Sequence, residues 1–183
     1  HFAAEGIARG ESIILVATKP NWANISRRLE AKGSDTNELF RRGQLTLLDA
    51  DATLPKFMAG NMPDAEIFKP LAKETIAKAR AGGKYSRVRW WGEMVNVLYA
   101  NGNLRGSNRL EELFDEVGRE ESVPVFCSFL MDKFDPKIYE EVFGNVCHTH
   151  SHVIPAHDYV RHRLVVNRAI SEVIGEISVP LLQ

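Results

Sequence analysis

Val88-Arg89-Trp90-Trp91-Gly92-Glu93-Met94-Val95 is the stretch on which the fold turns. Valine and tryptophan suit a pleated, packed surface. The run stops at Gly92 and passes directly into residues of helical spacing. It reads as a short buried strand handing over to a helix. Glu93 then stands at the strand's carboxyl end, where open α/β sheets bind ligands. Side chains alternate along a strand, so Arg89 shares a face with Trp91 and lies opposite Trp90.

Working outward, the same alternation of strand and helix recurs. Ser12 to Thr18 is an apolar, β-branched run suited to a strand covered on both faces. Leu45 to Asp49 is a second buried strand, ending in an acid. Val123 to Phe129 is a further strand, with Pro124 near its start where a missing N–H does least harm. His150 to Ile154 is a weaker one, stopped by Pro155. Between them lie helices. Phe2 to Ala8 carries Phe2, Ala3 and Ile7 on one side. Pro20 starts a helix with Trp22, Ile25, Leu29 and Ala31 inward, closed by Gly33. Thr36 to Arg42 is short, and Thr53 to Ala59 makes a turn or two. Pro63 opens a helix with Ile67, Leu71, Ile76 and Ala79 inward, which Pro70 should kink or split. Glu93 to Ala100 carries Val95, Leu98 and Tyr99. Leu104 to Val117 carries Leu110, Leu113, Phe114 and Val117. Pro136 to Phe143 and Ala156 to Ile174 complete the set.

This order predicts a three-layer α/β fold, with a mostly parallel central sheet of about five strands flanked by helices and joined by right-handed crossovers. The expected division is a domain over 1–155, then a C-terminal helix and the start of a linker over 156–183. That last helix bears Val160, Leu164, Val165, Ala169, Ile170 and Val173, a stripe wide enough to pack on the sheet or to pair with a second copy.

The chain has 183 residues, 44% hydrophobic and 26% charged, with net charge −1. These are ordinary values for a globular domain. The charge balance leaves no footprint for nucleic acid or an anionic membrane. No apolar run approaches the roughly 20 residues needed to cross a bilayer. Cys127 and Cys147 do not form a secreted disulfide framework, so a cytoplasmic location is expected. The abrupt start at His1 and end at Gln183 suggest a piece of something longer, continuing into an output module.

Taken together, Gly10-Glu11 before a strand, Gly43-Gln44-Leu45 with Asp49, and Arg89 to Val95 resemble the MEDS domain. That is the sensory domain first described in methanogens, methylotrophs and a dichloromethane-responsive regulator. Asn101-Gly102-Asn103 with Leu110-Glu111-Glu112-Leu113, the Cys127 strand and His150-Ser151-His152-Val153-Ile154-Pro155 fit the same pattern. The family usually has a further His and aromatic segment ahead of its first helix, for which only His1, abutting Phe2, could stand. The resemblance implies an input domain fused or coupled to a histidine kinase, another signalling module or a DNA-binding regulator. It implies a fold related to RecA-like and circadian-clock ATPases; it brings no settled ligand, small organic or hydrocarbon-derived molecules being those proposed, and the cofactor is left unknown.

The kinship with ATPases can be tested on the residues. A phosphate loop after the first strand needs glycines whose N–H groups surround the phosphates, a Lys, and a Ser or Thr for Mg²⁺. Ala17-Thr18-Lys19-Pro20-Asn21-Trp22 has the Lys and Thr but no glycine. Pro20 removes an N–H, and Trp22 takes up space. Gly92 stands where a metal-binding acid would be, which leaves Glu93 alone and ill equipped for phosphoryl transfer.

The candidate ligand-binding residues are Thr18, Trp22, Asp49, Arg89, Trp91, Glu93, Cys127, His150 and His152. Glu93 either accepts a hydrogen bond from a ligand or is a first-turn helix acid favoured by the helix dipole. Arg89 could pair with Glu93 or Asp49, and a structural ion pair suits it better than a ligand contact. Trp22, Trp90 and Trp91 could line an apolar pocket with an N–H handle, though core packing suits Trp90. Cys127 reads more readily as a buried inert thiol than as a reactive one. Cys147-His148-Thr149-His150-Ser151-His152 contains metal-ligating types, but on a strand the thiol points away from the three imidazoles. The reading adopted is a non-catalytic sensory input domain binding a small organic ligand at the carboxyl edge of the sheet and pairing through its C-terminal helix. A residual nucleotide-binding or ATPase domain, a ligand-free protein-interaction platform, and a metal or redox sensor are the alternatives.

Overall fold

The computed structural model describes residues 1–129, which lie in one unit of the chain ending at Leu130. Within it α1 (Phe2–Ala8) leads to β1 (Ser12–Ala17), then α2 (Lys19–Glu30) and α3 (Thr36–Arg41). Next come β2 (Leu45–Asp49), α4 (Ala50–Thr53), a 3₁₀ turn (Leu54–Phe57) and a small hairpin of β3 (Met58–Ala59) and β4 (Met62–Pro63). After them follow α5 (Ala65–Ala79), β5 (Val88–Gly92), α6 (Met94–Ala100), α7 (Leu104–Glu121) and β6 (Val125–Cys127).

Among the described residues the main sheet has four strands in the order β2-β1-β5-β6, every neighbouring pair parallel. β1 lies inside the sheet and is buried along its whole length, as its Ser-Ile-Ile-Leu-Val-Ala sequence requires. Among the described residues β2 is an edge strand and only its first residue is fully buried, so Leu45–Asp49 is half-covered where the sequence suggests a buried strand. A fifth strand was expected over His150–Ile154, which lies outside the described residues.

Strand alternation sorts the core into two layers. Ile13 and Leu15 face one side, with Leu39, Leu45 and the partly buried Ala3, Ile7, Trp22, Ile25 and Trp91. Ile14, Val16, Val88 and Trp90 face the other, against α5, α6 and α7. Crossovers therefore run on opposite faces, α2 and α3 on one and α5 to α7 on the other. The chain reverses its direction across the sheet between β1 and β5, which makes that gap the topological switch point. The second layer holds an edge-to-face chain of rings, Phe57 to Phe68 at 5.0 Å, Phe68 to Phe114 at 5.0 Å and Phe114 to Trp90 at 5.5 Å.

Carboxylates and amides set several helix starts. Asp35, Asp49, Asp64 and Asn103 each accept a hydrogen bond from a backbone N–H of the first turn. Asp64 explains the first departure from the sequence reading. It caps α5 at Ala65, while Pro63 pairs with Met58 in the hairpin, so Pro63 does not open the helix. Likewise Met58 and Ala59 are extended rather than part of a helical turn. Pro70 sits inside α5 without splitting it. An unbroken helix keeps one phase, so Phe68, Ala72, Ile76 and Ala79 are buried and Ile67 is 47% exposed. Ala31, expected inward, is exposed at the C-cap of α2.

Candidate functional site

The carboxyl end of the sheet is organised by Glu93. Its backbone N–H donates to the Val16 carbonyl at 3.2 Å, which fastens the end of β5 to β1. Its side chain then crosses the switch point. One carboxylate oxygen accepts the backbone N–H of Thr18, and the other accepts the Asn21 side-chain amide. Thr18 is the N-cap of α2 and makes no side-chain cap of its own. Glu93 thus supplies the acceptor for the amino end of α2, and it is only 2% exposed while doing so. A negative group at a helix start is favoured by the helix dipole. Here that group belongs to the chain itself.

The other expected residues distribute as follows. Thr18 contributes its N–H to Glu93. Trp22 is half-buried on the α2 side, its ring edge-on to Phe40 at 5.7 Å. Trp91 packs on the same face, while Trp90 lies on the opposite one, so the three tryptophans line no common pocket. Asp49 caps α4, its Oδ1 accepting the Ala52 N–H at 3.0 Å. His150 and His152 lie outside the described residues, as does the rest of Cys147–His152. Among the described residues no group of three or more His, Cys, Asp or Glu is placed to hold a metal ion.

Arg89 is the clear correction. β5 pairs with β1 in parallel, with Arg89 beside Ile13, so its side chain belongs to the amino half of the sheet. It does not reach Glu93 or Asp49. It donates to the buried Glu11 carboxylate, and to Glu5 and the Phe2 carbonyl at 3.3 Å each. Its guanidinium lies over the Phe2 ring at 5.1 Å. Burial alone would lower its pKa, but Glu11 and Glu5 outweigh that and hold it above its ordinary value. The buried Gln44 completes this end by donating to the Glu11 carbonyl at 2.9 Å and the Ile7 carbonyl at 3.1 Å.

Cys127 ends β6 beside Gly92. Burial first, and then the neighbouring Glu111 carboxylate, push its thiol well above the ordinary range. A protonated thiol is a poor nucleophile.

Three features escaped the sequence reading. Asn21 holds Glu93, but an Asn in a first helical turn is too common to signal it. Glu11 and Gln44 are buried, and their presence in polar-looking junctions gave only the family pattern. Last, a cavity of about 220 Å³ lies on the α5 side of the sheet, with Leu48, Thr53, Phe57, Phe68, Trp90 and Met94 among its walls.

The geometry is that of a doubly wound α/β domain in which the Glu93 carboxylate bridges the switch point to the start of α2. The sequence matches the family described as MEDS, the methanogen/methylotroph, DcmR sensory domain, over residues 1–150. The chain belongs to that family. A comparison with curated proteins found no match.

Proposed function

We propose that this chain is a non-catalytic signal-input domain that binds a small organic molecule and passes the event to an output module. Membership of a sensory family supports the sensory role. The single observation that carries the non-catalytic part is the Glu93 bridge to Thr18 and Asn21. It consumes the backbone donor a phosphate would need, and places negative charge there. A nucleotide would have to displace a buried carboxylate and then face its repulsion. With Pro20 in the first turn and no glycine between Ala17 and Trp22, that argues against the residual ATPase reading.

Signalling requires the ligand to favour one of two states of the segment that leads to the output module. The expected helix over 156–174 is our candidate for that segment, and a homodimer through it our candidate assembly. No helix among the described residues is long and apolar enough to cross a membrane. Mass spectrometry of small molecules carried through purification tests the reading. A stoichiometric organic ligand whose removal changes the protease susceptibility of residues 156–183 is expected. Ligand addition that leaves that segment unchanged contradicts it.

A further inference from the structure

The cavity on the α5 side differs from ordinary core in three ways. Its inner wall is apolar and aromatic, formed by Leu48, Phe57, Phe68, Trp90 and Met94. Trp90 is 3% exposed, and its indole N–H has no hydrogen-bond partner among the described residues. Buried donors are almost always satisfied, and an unmatched one sets this wall apart from ordinary core. Third, two exposed lysines, Lys56 and Lys78, stand where the cavity meets the surface. Lys78 is matched by Glu74 at 2.6 Å. Lys56 has no ion pair or hydrogen bond among the described residues.

An apolar chamber with an unmatched cation at its mouth suits an amphipathic anion. An engineered cavity of about 150 Å³ holds benzene, so one of 220 Å³ takes a body of roughly nine non-hydrogen atoms. We propose that this cavity binds a small monocarboxylate with a compact hydrocarbon or aromatic body. The carboxylate pairs with Lys56, and the body lies against Phe57, Phe68 and Trp90. Two features disfavour the carboxyl edge between β1 and β5 for the same molecule. Glu93 already fills it, and it would repel an anion.

The inference rests on the input-domain reading but fails separately from it. Calorimetric titration of the whole chain with benzoate, and with benzamide as its uncharged counterpart, decides it. Benzoate is expected to bind, with Lys56→Met weakening it about tenfold, the scale of one charge-assisted hydrogen bond, and leaving benzamide unchanged. Ala72→Leu, which adds volume from α5, is expected to abolish binding of both. Thr46→Leu does the same from β2 and guards against a folding defect in the first variant. Absence of benzoate binding at millimolar concentration overturns the proposal, as does equal affinity in Lys56→Met or binding undiminished in both filled variants. A co-purifying molecule retained by both filled variants would leave the input-domain reading standing and remove this site.

Discussion

The two ends of the central sheet each bury a carboxylate, and they neutralise it by opposite means. At the amino end Glu11 meets a guanidinium, with Glu5, the Phe2 ring and the Phe2 carbonyl gathered around Arg89. At the carboxyl end Glu93 meets a backbone N–H and a side-chain amide. The first arrangement cross-links α1, β1 and β5 by charge. The second uses dipoles to plug the crevice where such folds usually hold their ligand. The comparison teaches that a buried acid at a strand end can be satisfied from within the fold by a charge or by dipoles. What its oxygens already touch decides the matter.

Removing Arg89 should have the largest effect. Arg89→Met leaves the buried Glu11 with only the exposed Arg87 guanidinium at 4.0 Å, and should cost about 3 kcal/mol in urea unfolding. The double change Arg89→Met with Glu11→Leu should recover most of that, because an apolar pair replaces the ionic one. If the single variant loses no more than an exposed pair would, the amino end is not the ionic clamp described.

At the other end, Glu93→Ala strands the half-buried Thr18 N–H while the exposed Asn21 amide turns to water, and should cost about 1–2 kcal/mol. Glu93→Gln should fall between, since one amide oxygen can serve only one of the two donors. Equal stability of Gln and Glu at this position would remove the requirement for a double acceptor.

Cys127 sharpens the picture of the carboxyl end. Its thiol is raised in the folded chain relative to an ordinary value of 9.0. A raised group contributes its stability below the unfolded pKa and loses it as pH rises toward the folded one. Stability should therefore decline above about pH 9, by up to about 1.4 kcal/mol per pH unit. Urea unfolding at pH 8 and pH 10 checks this, and the extra loss should vanish in Cys127→Ala.

The smallest effect belongs to Glu5, which reaches Arg89 at 3.3 Å from a half-exposed position. Glu5→Gln should cost about 0.5 kcal/mol, less still in high salt. A cost approaching that of Arg89→Met would mean that Glu5, not Glu11, anchors the guanidinium.

What could be read from the chain alone follows from these contacts. β1 is legible because its continuous apolar run is covered on both faces, and β5 because buried Val88 and Trp90 alternate with partly buried Arg89 and Trp91. α7 is legible because Leu110, Leu113, Phe114 and Val117 repeat at helical spacing, and all four are buried. In α5 the stripe is legible at Leu71, Ile76 and Ala79 but not at Ile67, because Pro63 looks like the helix start while the cap that begins it is Asp64. The partner of Arg89 was not legible, for Glu11 lies 78 residues away and only the parallel register of β1 with β5 brings them together. Glu93 was marked correctly as the acid at the strand end. That it would be satisfied from within depended on Asn21, one unremarkable helix residue. The cavity was invisible for the same reason: its walls come from β2, α4, α5, β5 and α6, and only packing assembles them.

The central claim is that the crevice between β1 and β5 is already filled by the chain's own carboxylate. Calorimetric titration of the intact chain with MgATP, followed by assay for released phosphate, tests it most directly. The account predicts no saturable heat and no phosphate release. Saturable binding at micromolar concentration with turnover would contradict it.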